Sequence, residues 1–214
     1  MSSSAVRPYP SYRGARINHP ASPADFSIRQ VASVGERLAT EQLVRRMYSW
    51  RGYRVAAPKH KADDNHRLTL GAWRDGELAA TLTMTVDRGQ GLLCEELYPG
   101  EIAALRNDDR RLCEYSRFAI DPEFSSQKLL RAFFLSAYHL ACRILEATHA
   151  VIEVNPRHRR FYERELGFSG SGTVRICPRV EAPALLLYRD LRQFLPEMLR
   201  GTLLPLADLS PLAA

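Results

Sequence analysis

The spacing of apolar residues along the chain lays out an order of strands and helices. Phe26 and Ile28 alternate with polar neighbours over 26–31, the period of a half-buried strand. Ser33, with Glu36 three residues on, forms a capping-box pattern, so a helix starts there, runs to about Trp50 and stops at Gly52. A polar loop over 54–66, containing Asp63-Asp64, separates it from a hairpin: residues 68–73 and 77–87 flank Asp75-Gly76, the signature of a type I′ turn. Alternation places Leu78, Ala80, Leu82, Met84 and Val86 on one face of the second strand and Thr81, Thr83 and Thr85 on the other. A short helix after Pro99-Gly100-Glu101 ends near Arg106. The run Leu112-Cys113-Glu114-Tyr115-Ser116-Arg117-Phe118-Ala119-Ile120 reads as a central strand, closed by Asp121-Pro122. From Ser125 or Ser126 a long helix carries Leu129, Leu130, Phe133, Phe134, Ala137, Tyr138, Ala141, Ile144 and Leu145 as one broad stripe. The strand at 149–154 completes a strand–helix–strand unit, so the two strands are parallel neighbours. Asn155-Pro156 opens a further helix that ends at Gly167, 168–177 and 184–190 close as strands, and 191–200 forms an amphipathic helix.

This order predicts an α/β (α+β) layer fold: a single mixed, mostly antiparallel twisted sheet with a central parallel pair, flanked by helices. No internal repeat or second-domain linker interrupts it. Residues 1–25, with Pro8, Pro10, Pro20 and Pro23 among scattered Arg, are expected to be a flexible arm, 26–191 the folded domain, and 192–214 a terminal helix and tail.

Composition narrows the chemistry. In 214 residues, 45% hydrophobic and 25% charged, there is ample material for one core. The net charge of +6 suits an acidic partner, which can be nucleic acid, an anionic membrane or an acidic carrier protein. Basic and aromatic residues interleave only in the N-terminal arm, so nucleic-acid binding is not expected. Four cysteines without a Cys-x-x-Cys pair read as reduced thiols of a cytoplasmic protein. Neither they nor the six histidines show metal-ligand spacing, and no apolar run is long enough to span a bilayer.

Two charges inside the central strand require an explanation, because an unpaired buried charge is costly. Glu114 and Arg117 are either a structural ion pair at a sheet end or parts of a site. In a regular strand they point to opposite faces; a bulge between them brings both toward one cleft. There Glu114 can take a proton from an incoming amine, and Arg117 can bind a substrate carboxylate or hold Glu114 ionised.

Two stretches carry a family resemblance. "NPRHRRFYERELGF" over 155–168 resembles the last helix of the GNAT acyltransferase fold, and "CEYSRFAI" over 113–120 is similar to the Glu-x-Ser-Arg-Phe strand of acyl-homoserine-lactone synthases. With "ELYPGEI" and "CPRVEAPALLL", the span 79–191 resembles the FeeM-like N-acyl amino acid synthases. The resemblance implies a GNAT-like fold and transfer of a long-chain fatty acyl group from acyl carrier protein to the amine of an amino acid or similar small amine, by direct thioester aminolysis. It implies Glu114 and Tyr162 as catalytic groups, the tyrosine protonating the departing thiolate; the alternative for Tyr162 is a core ring with its hydroxyl on a backbone group. Ser116, Arg117 and Phe118 become substrate-facing, and Trp50, Phe133 and Phe134 are candidates to line the acyl tunnel. The spacing of Arg, Phe and Trp near the N-terminus of the lactone synthases is not reproduced, which argues against a lactone product.

GNAT enzymes carry a glycine-rich loop before the long helix, where backbone N–H groups cradle the pyrophosphate of coenzyme A. Here 121–128 contains no glycine. That favours a single phosphate, as in the phosphopantetheine of acyl carrier protein, held with help from Ser125, Ser126 and Lys128. Lys128, Arg131, Asn155, Arg157, Arg159 and Arg160 would then meet the donor or its acidic carrier. The thioester donor is acyl carrier protein or acyl-CoA, and no other cofactor and no metal is implied. The competing readings are a CoA-dependent N-acetyltransferase and a non-catalytic module that binds acyl chains or carrier protein on the same fold.

Overall fold

Seven strands form one sheet in the order β1-β2-β3-β4-β5-β7-β6. They are β1 (Ser27–Gln30), β2 (Arg67–Arg74), β3 (Glu77–Val86), β4 (Leu112–Ile120), β5 (His149–Val154), β6 (Val174–Cys177) and β7 (Ala182–Asp190). All neighbours are antiparallel except β4 and β5. Four helices flank the sheet: α1 (Val34–Trp50), α2 (Pro99–Leu105), α3 (Gln127–His139) and α4 (Arg159–Leu166). This computed structural model describes residues 26–54, 66–89, 91–107, 109–170 and 172–194. The expected N-terminal arm, Asp63-Asp64, and the final helix beyond its first turn (Leu191–Gln193) lie outside the described residues.

Local chemistry accounts for the helix ends. The Ser33 hydroxyl accepts the Glu36 N–H at 3.1 Å and the Glu36 carboxylate accepts the Ser33 N–H at 3.1 Å, so the capping box that starts α1 is complete. Ser126 caps α3 by accepting the Leu129 N–H at 3.2 Å. Gly167 ends α4 in the left-handed conformation, φ 63°. Asp75 and Gly76 take φ of 52° and 85°, as a type I′ turn requires.

Helices cover both faces of the sheet. On one side α3 and α4 bury Leu129, Leu130, Phe133, Phe134, Phe161 and Leu166 against Leu82, Met84, Tyr115 and Ile152. On the other, Leu43 and Val44 of α1 pack on Ala119, and α2 brings Ile102 onto Leu112 and Val151. Thr81 and Thr83, placed on an outer face by alternation, are therefore buried at 1% and 4% exposure. The Thr81 hydroxyl meets its hydrogen-bonding need by donating to the Leu70 carbonyl at 3.2 Å. Leu78 also departs from the simple pattern: Ala72 pairs with Ala80 but Trp73 with Leu78, and the extra residue turns Leu78 toward α1.

The C-terminal hairpin is shorter than its alternation suggests. Gly167 turns the chain out of α4, Phe168 drops into the core, and Ser169 makes only a bridge to Tyr188 before β6 starts at Val174. The Phe133 ring, fully buried, lies 6.1 Å from Phe118 and 6.4 Å from Phe134, edge-on to the latter. Truncation there removes aromatic packing that the rigid sheet cannot collapse to replace. Phe133→Ala is expected to lower stability by roughly 3–5 kcal/mol, read from urea denaturation midpoints.

Candidate active site

The site begins where the parallel ladder ends. β4 and β5 pair from Leu112–His149 to Tyr115–Ile152 and no further. Beyond that point β4 stays with β3 and β5 stays with β7, so a gap opens between the two central strands. A cavity of about 340 Å³ occupies it, floored by Ser116–Phe118 on one side and Glu153–Asn155 on the other and closed by α1 and the β6–β7 turn.

A bulge shapes the floor. Thr81 pairs with Ala119 and Thr83 with Ser116, so Arg117 and Phe118 together oppose Leu82. Arg117 is the extra residue and takes φ 54°, the left-handed region that non-glycine residues rarely enter. The bulge changes the parity of the strand. Cys113 and Tyr115 face the α3 core, and after the bulge Phe118 and Ile120 do. Glu114, Ser116 and Arg117 all line the cavity.

Glu114 is 1% exposed. Its Oε2 accepts the Leu93 N–H at 2.7 Å and its Oε1 the Cys94 N–H at 2.9 Å. Those donors open a 3₁₀ turn (Leu93–Glu96), whose first N–H groups have no partner within the turn itself. Burial pushes the carboxyl up to about 7, with the Glu153 charge adding to the rise, although both amide hydrogen bonds pull it down. Arg117, half-buried, has no carboxylate bonded to it among the described residues. Tyr162 projects from α4 with its ring edge-on to Phe161 at 5.2 Å and Phe168 at 6.0 Å. Burial raises its phenol further above the usual range, so it stays protonated. No described residue hydrogen-bonds that hydroxyl, and Tyr162 is among the residues that line the cavity.

The remaining candidates separate into three groups. Ser116, Phe118 and Asn155 line the cavity with Glu114, Arg117 and Tyr162. Ser116 sits 3.5 Å from the Thr83 carbonyl, and Asn155 accepts the Arg157 N–H at 3.1 Å. Arg157 stands at the rim, donating to the Tyr53 hydroxyl at 2.7 Å with its guanidinium 5.2 Å from that ring. Trp50, Phe133 and Phe134 do not line the cavity: Trp50 is 56% exposed on the last turn of α1, and the two phenylalanines are core residues under the opposite face of the sheet. Ser125, Ser126, Lys128 and Arg131 also stand apart from it, at the start of α3, where the Ser126 hydroxyl is committed to its cap.

Arg51, which caps α1, had no sequence signal of its own. Tyr48 comes from the bulky last turns of α1 and His158 from the turn before α4, inside a stretch that carries the family resemblance, and the three are joined only by tertiary folding. Arg51 donates to His158 Nε2 at 2.6 Å. Burial first, then the positive charges of Arg51 and Arg157, lower the His158 imidazole to about 4 and keep it neutral. Glu153, a lone carboxylate in the apolar strand His149–Val154, was open to the same reasoning that selected Glu114. Among the described residues no three or more His, Cys, Asp or Glu side chains are placed to hold a metal ion, and no helix is long and apolar enough to cross a membrane.

The open mixed sheet with its one parallel pair and flanking helices is a GNAT-like fold, and solved structures match it. A putative N-acetyltransferase from Lactobacillus plantarum superposes with TM-score 0.56 at 15% identity, over 78% of this chain and 99% of that one. FeeM, an N-acyl amino acid synthase from uncultured soil microbes, superposes with TM-score 0.70 at 24% identity, over 80% of this chain and 94% of that one. MesI, a CoA-dependent acyl-homoserine lactone synthase, gives 0.53 at 19% identity, over 82% and 92%. The profile of the N-acyl amino acid synthase FeeM family matches residues 39–190. The chain belongs to that family and is an N-acyltransferase. A search of curated proteins finds no match.

The lowered imidazole has a measurable consequence. Free in the unfolded chain, His158 binds a proton below about 6.5; in the fold it does so only near 4. Between those values the unfolded state holds the extra proton, so stability falls as pH drops through the window. The share due to His158 approaches roughly 3 kcal/mol between pH 7 and 4. Urea titrations at both pH values are expected to show a flatter pH dependence for His158→Gln than for the parent protein.

Proposed function

We propose that the cavity transfers a fatty acyl group from a phosphopantetheine thioester to the amine of an amino acid or similar small amine, with acyl carrier protein as the donor. The observation that carries this reading is the bulge at Arg117, which puts Glu114 and a guanidinium with no carboxylate partner among the described residues on one cavity wall. The pantetheine arm lies in the gap between β4 and β5, where strand edges have no ladder partner and can hydrogen-bond its amides. Arg117 grips the acceptor's carboxylate, and Glu114, ionised in part at neutral pH, removes the ammonium proton directly or through a water. The freed amine attacks the thioester carbonyl. A main-chain N–H at the bulge stabilises the tetrahedral oxyanion. The intermediate collapses by breaking the C–S bond; the Tyr162 hydroxyl gives its proton to the leaving thiolate and its oxygen takes back, directly or through a water, the second proton that the nitrogen sheds as the amide forms, while the proton on Glu114 passes to solvent. The products are an amide and a free thiol.

Two features favour carrier protein over coenzyme A. The turn before α3 has no glycine to let its backbone wrap a pyrophosphate. Lys128, Arg131, Arg157 and Arg160 are exposed basic groups of the kind an acidic carrier would meet. The second reading, acyl-CoA as donor, is favoured by the structural likeness to MesI, described as CoA-dependent. Parallel assays with long-chain acyl carrier protein and the matching acyl-CoA, with amide product detected by mass spectrometry, decide between them; amide from neither donor with any amine defeats the proposal.

Two substitutions test the assigned roles. Glu114→Gln is expected to lower kcat by about 10²–10⁴ and to remove an ascending limb of the kcat–pH profile centred near 7. Arg117→Met is expected to raise KM for the acceptor by about tenfold or more while leaving KM for the donor within about twofold, since a charged hydrogen bond contributes roughly 1.5–3 kcal/mol.

A further inference from the structure

The Leu93–Glu96 turn is gripped from two sides. On one, the N–H groups of Leu93 and Cys94 donate to Glu114. On the other stands Arg179, in the turn between β6 and β7. Its Nη1 donates to the Leu93 carbonyl at 2.8 Å and to Glu96 Oε2 at 2.5 Å, and its Nη2 to Glu153 Oε2 at 2.7 Å. Leu93 therefore has its N–H on the proposed base and its carbonyl on the guanidinium. Arg179 and Glu153 are well covered, with side-chain exposures of 24% and 10%.

We propose that Arg179 is a positioning residue for Glu114: it anchors the peptide that cradles the carboxylate and balances the charge of Glu153, which lines the same cavity from the neighbouring strand β5. This deepens the reading of Glu114 as the proton acceptor and rests on it.

The groups around Glu114 leave Glu153 and Arg179 as the pair that matters. On its own strand stand Cys113 and the cavity-lining Arg117; the 3₁₀ turn brings Cys94 and Glu96, and β5 brings Glu153. Cys177 and Arg179 come from the end of β6 and its turn, and Tyr48 and Arg51 line the cavity from α1. Burial raises the Cys94, Cys113 and Cys177 thiols, the last to about 11, so all three are neutral near pH 7. Tyr48 is likewise raised, to about 12, and stays neutral. Glu96 reaches toward solvent and is matched directly by Arg179. Glu153 is the like charge that makes a proton on Glu114 more favourable. With Arg179 in place that charge is matched. Without it, Glu153 is bare and the Leu93 peptide is loose, and both changes raise the proton affinity of Glu114. Removing Glu153 instead leaves Arg179 with a cationic surplus beside Glu114 and lowers it.

The test is a pair of variants that must move one titration in opposite directions. Glu114 is followed by carbon NMR of the full chain labelled at glutamate carboxyls, its signal assigned by loss in Glu114→Gln, alongside the kcat–pH profile. Arg179→Met is expected to raise the midpoint by about one pH unit, with activity at pH 7 falling about fivefold and recovering at pH 9; Glu153→Gln is expected to lower it. Arg179→Lys, which keeps the charge without the fork, gives a smaller rise, and it replaces Arg179→Met if that variant does not fold. Unmoved midpoints, or shifts of the same sign in the arginine and Glu153 variants, overturn the clamp. If the carboxyl titration moves as expected but no kcat limb is tied to Glu114 in the parent enzyme, the clamp stands and the base assignment falls.

Discussion

In β4 the chain passes through a left-handed residue at Arg117, and the side chains on either side of it exchange faces. Everything at the cavity depends on that local geometry. Before the bulge the strand is an ordinary member of a parallel pair; after it, the strand follows β3 away from β5. The splay creates room at the middle of a sheet, where backbone groups would otherwise be consumed by the ladder. The bulge decides which residues enter that room. Without the extra residue, Phe118 would point at the cavity and Arg117 into the apolar layer under α3, where a guanidinium has no partner. The rings of Phe133 and Phe134 in turn hold Phe118 at 6.1 and 5.2 Å, and so fasten the strand in its displaced register.

The electrostatics of the cavity follow from burial acting with opposite sign on acids and bases. Glu114 gains proton affinity and His158 loses it, so at neutral pH the site presents a carboxyl near its midpoint beside an uncharged imidazole. The phenols of Tyr48 and Tyr162 remain protonated. The fixed charges that line the cavity include the matched Arg179–Glu153 pair and the guanidiniums of Arg51 and Arg117. Such a wall suits an acceptor that arrives with a carboxylate and an ammonium and has to lose one proton. A second ion pair, Arg46 with Asp121, ties α1 to the turn before α3, joining the helices on opposite faces around the splayed end of β4.

Much of this was legible in the sequence because it is encoded locally. The capping box at Ser33, the Asp75-Gly76 turn, the stripe of α3 and the Pro156 start need only neighbouring residues to specify them. Glu114 and Arg117 stood out because a strand rarely tolerates two charges, and their spacing already required a bulge if both were to share a cleft. Aromatic bulk misled in the same degree. Trp50, Phe133 and Phe134 have the chemistry of an acyl lining, but the periodicity that puts the phenylalanines on the α3 stripe also commits them to the core, and Trp50 faces solvent. The meeting of Arg51 with His158, and of Arg179 with Glu96 and Glu153, was not legible: these residues are far apart in the chain, and although Glu96, Glu153, His158 and Arg179 fall inside the stretches that carry the family resemblance, nothing local says which of them meet.

The left-handed backbone at Arg117 has a bearing on how the protein can evolve or be engineered. A side chain held at φ 54° costs roughly 1–2 kcal/mol that glycine would not incur. Selection for heat tolerance alone would thus drift toward glycine at this position, and the resulting protein would be sturdier while lacking its cavity cation. If Arg117 holds the acceptor as proposed, persistence of arginine against that pull is a mark by which functional descendants can be told from folded but idle ones.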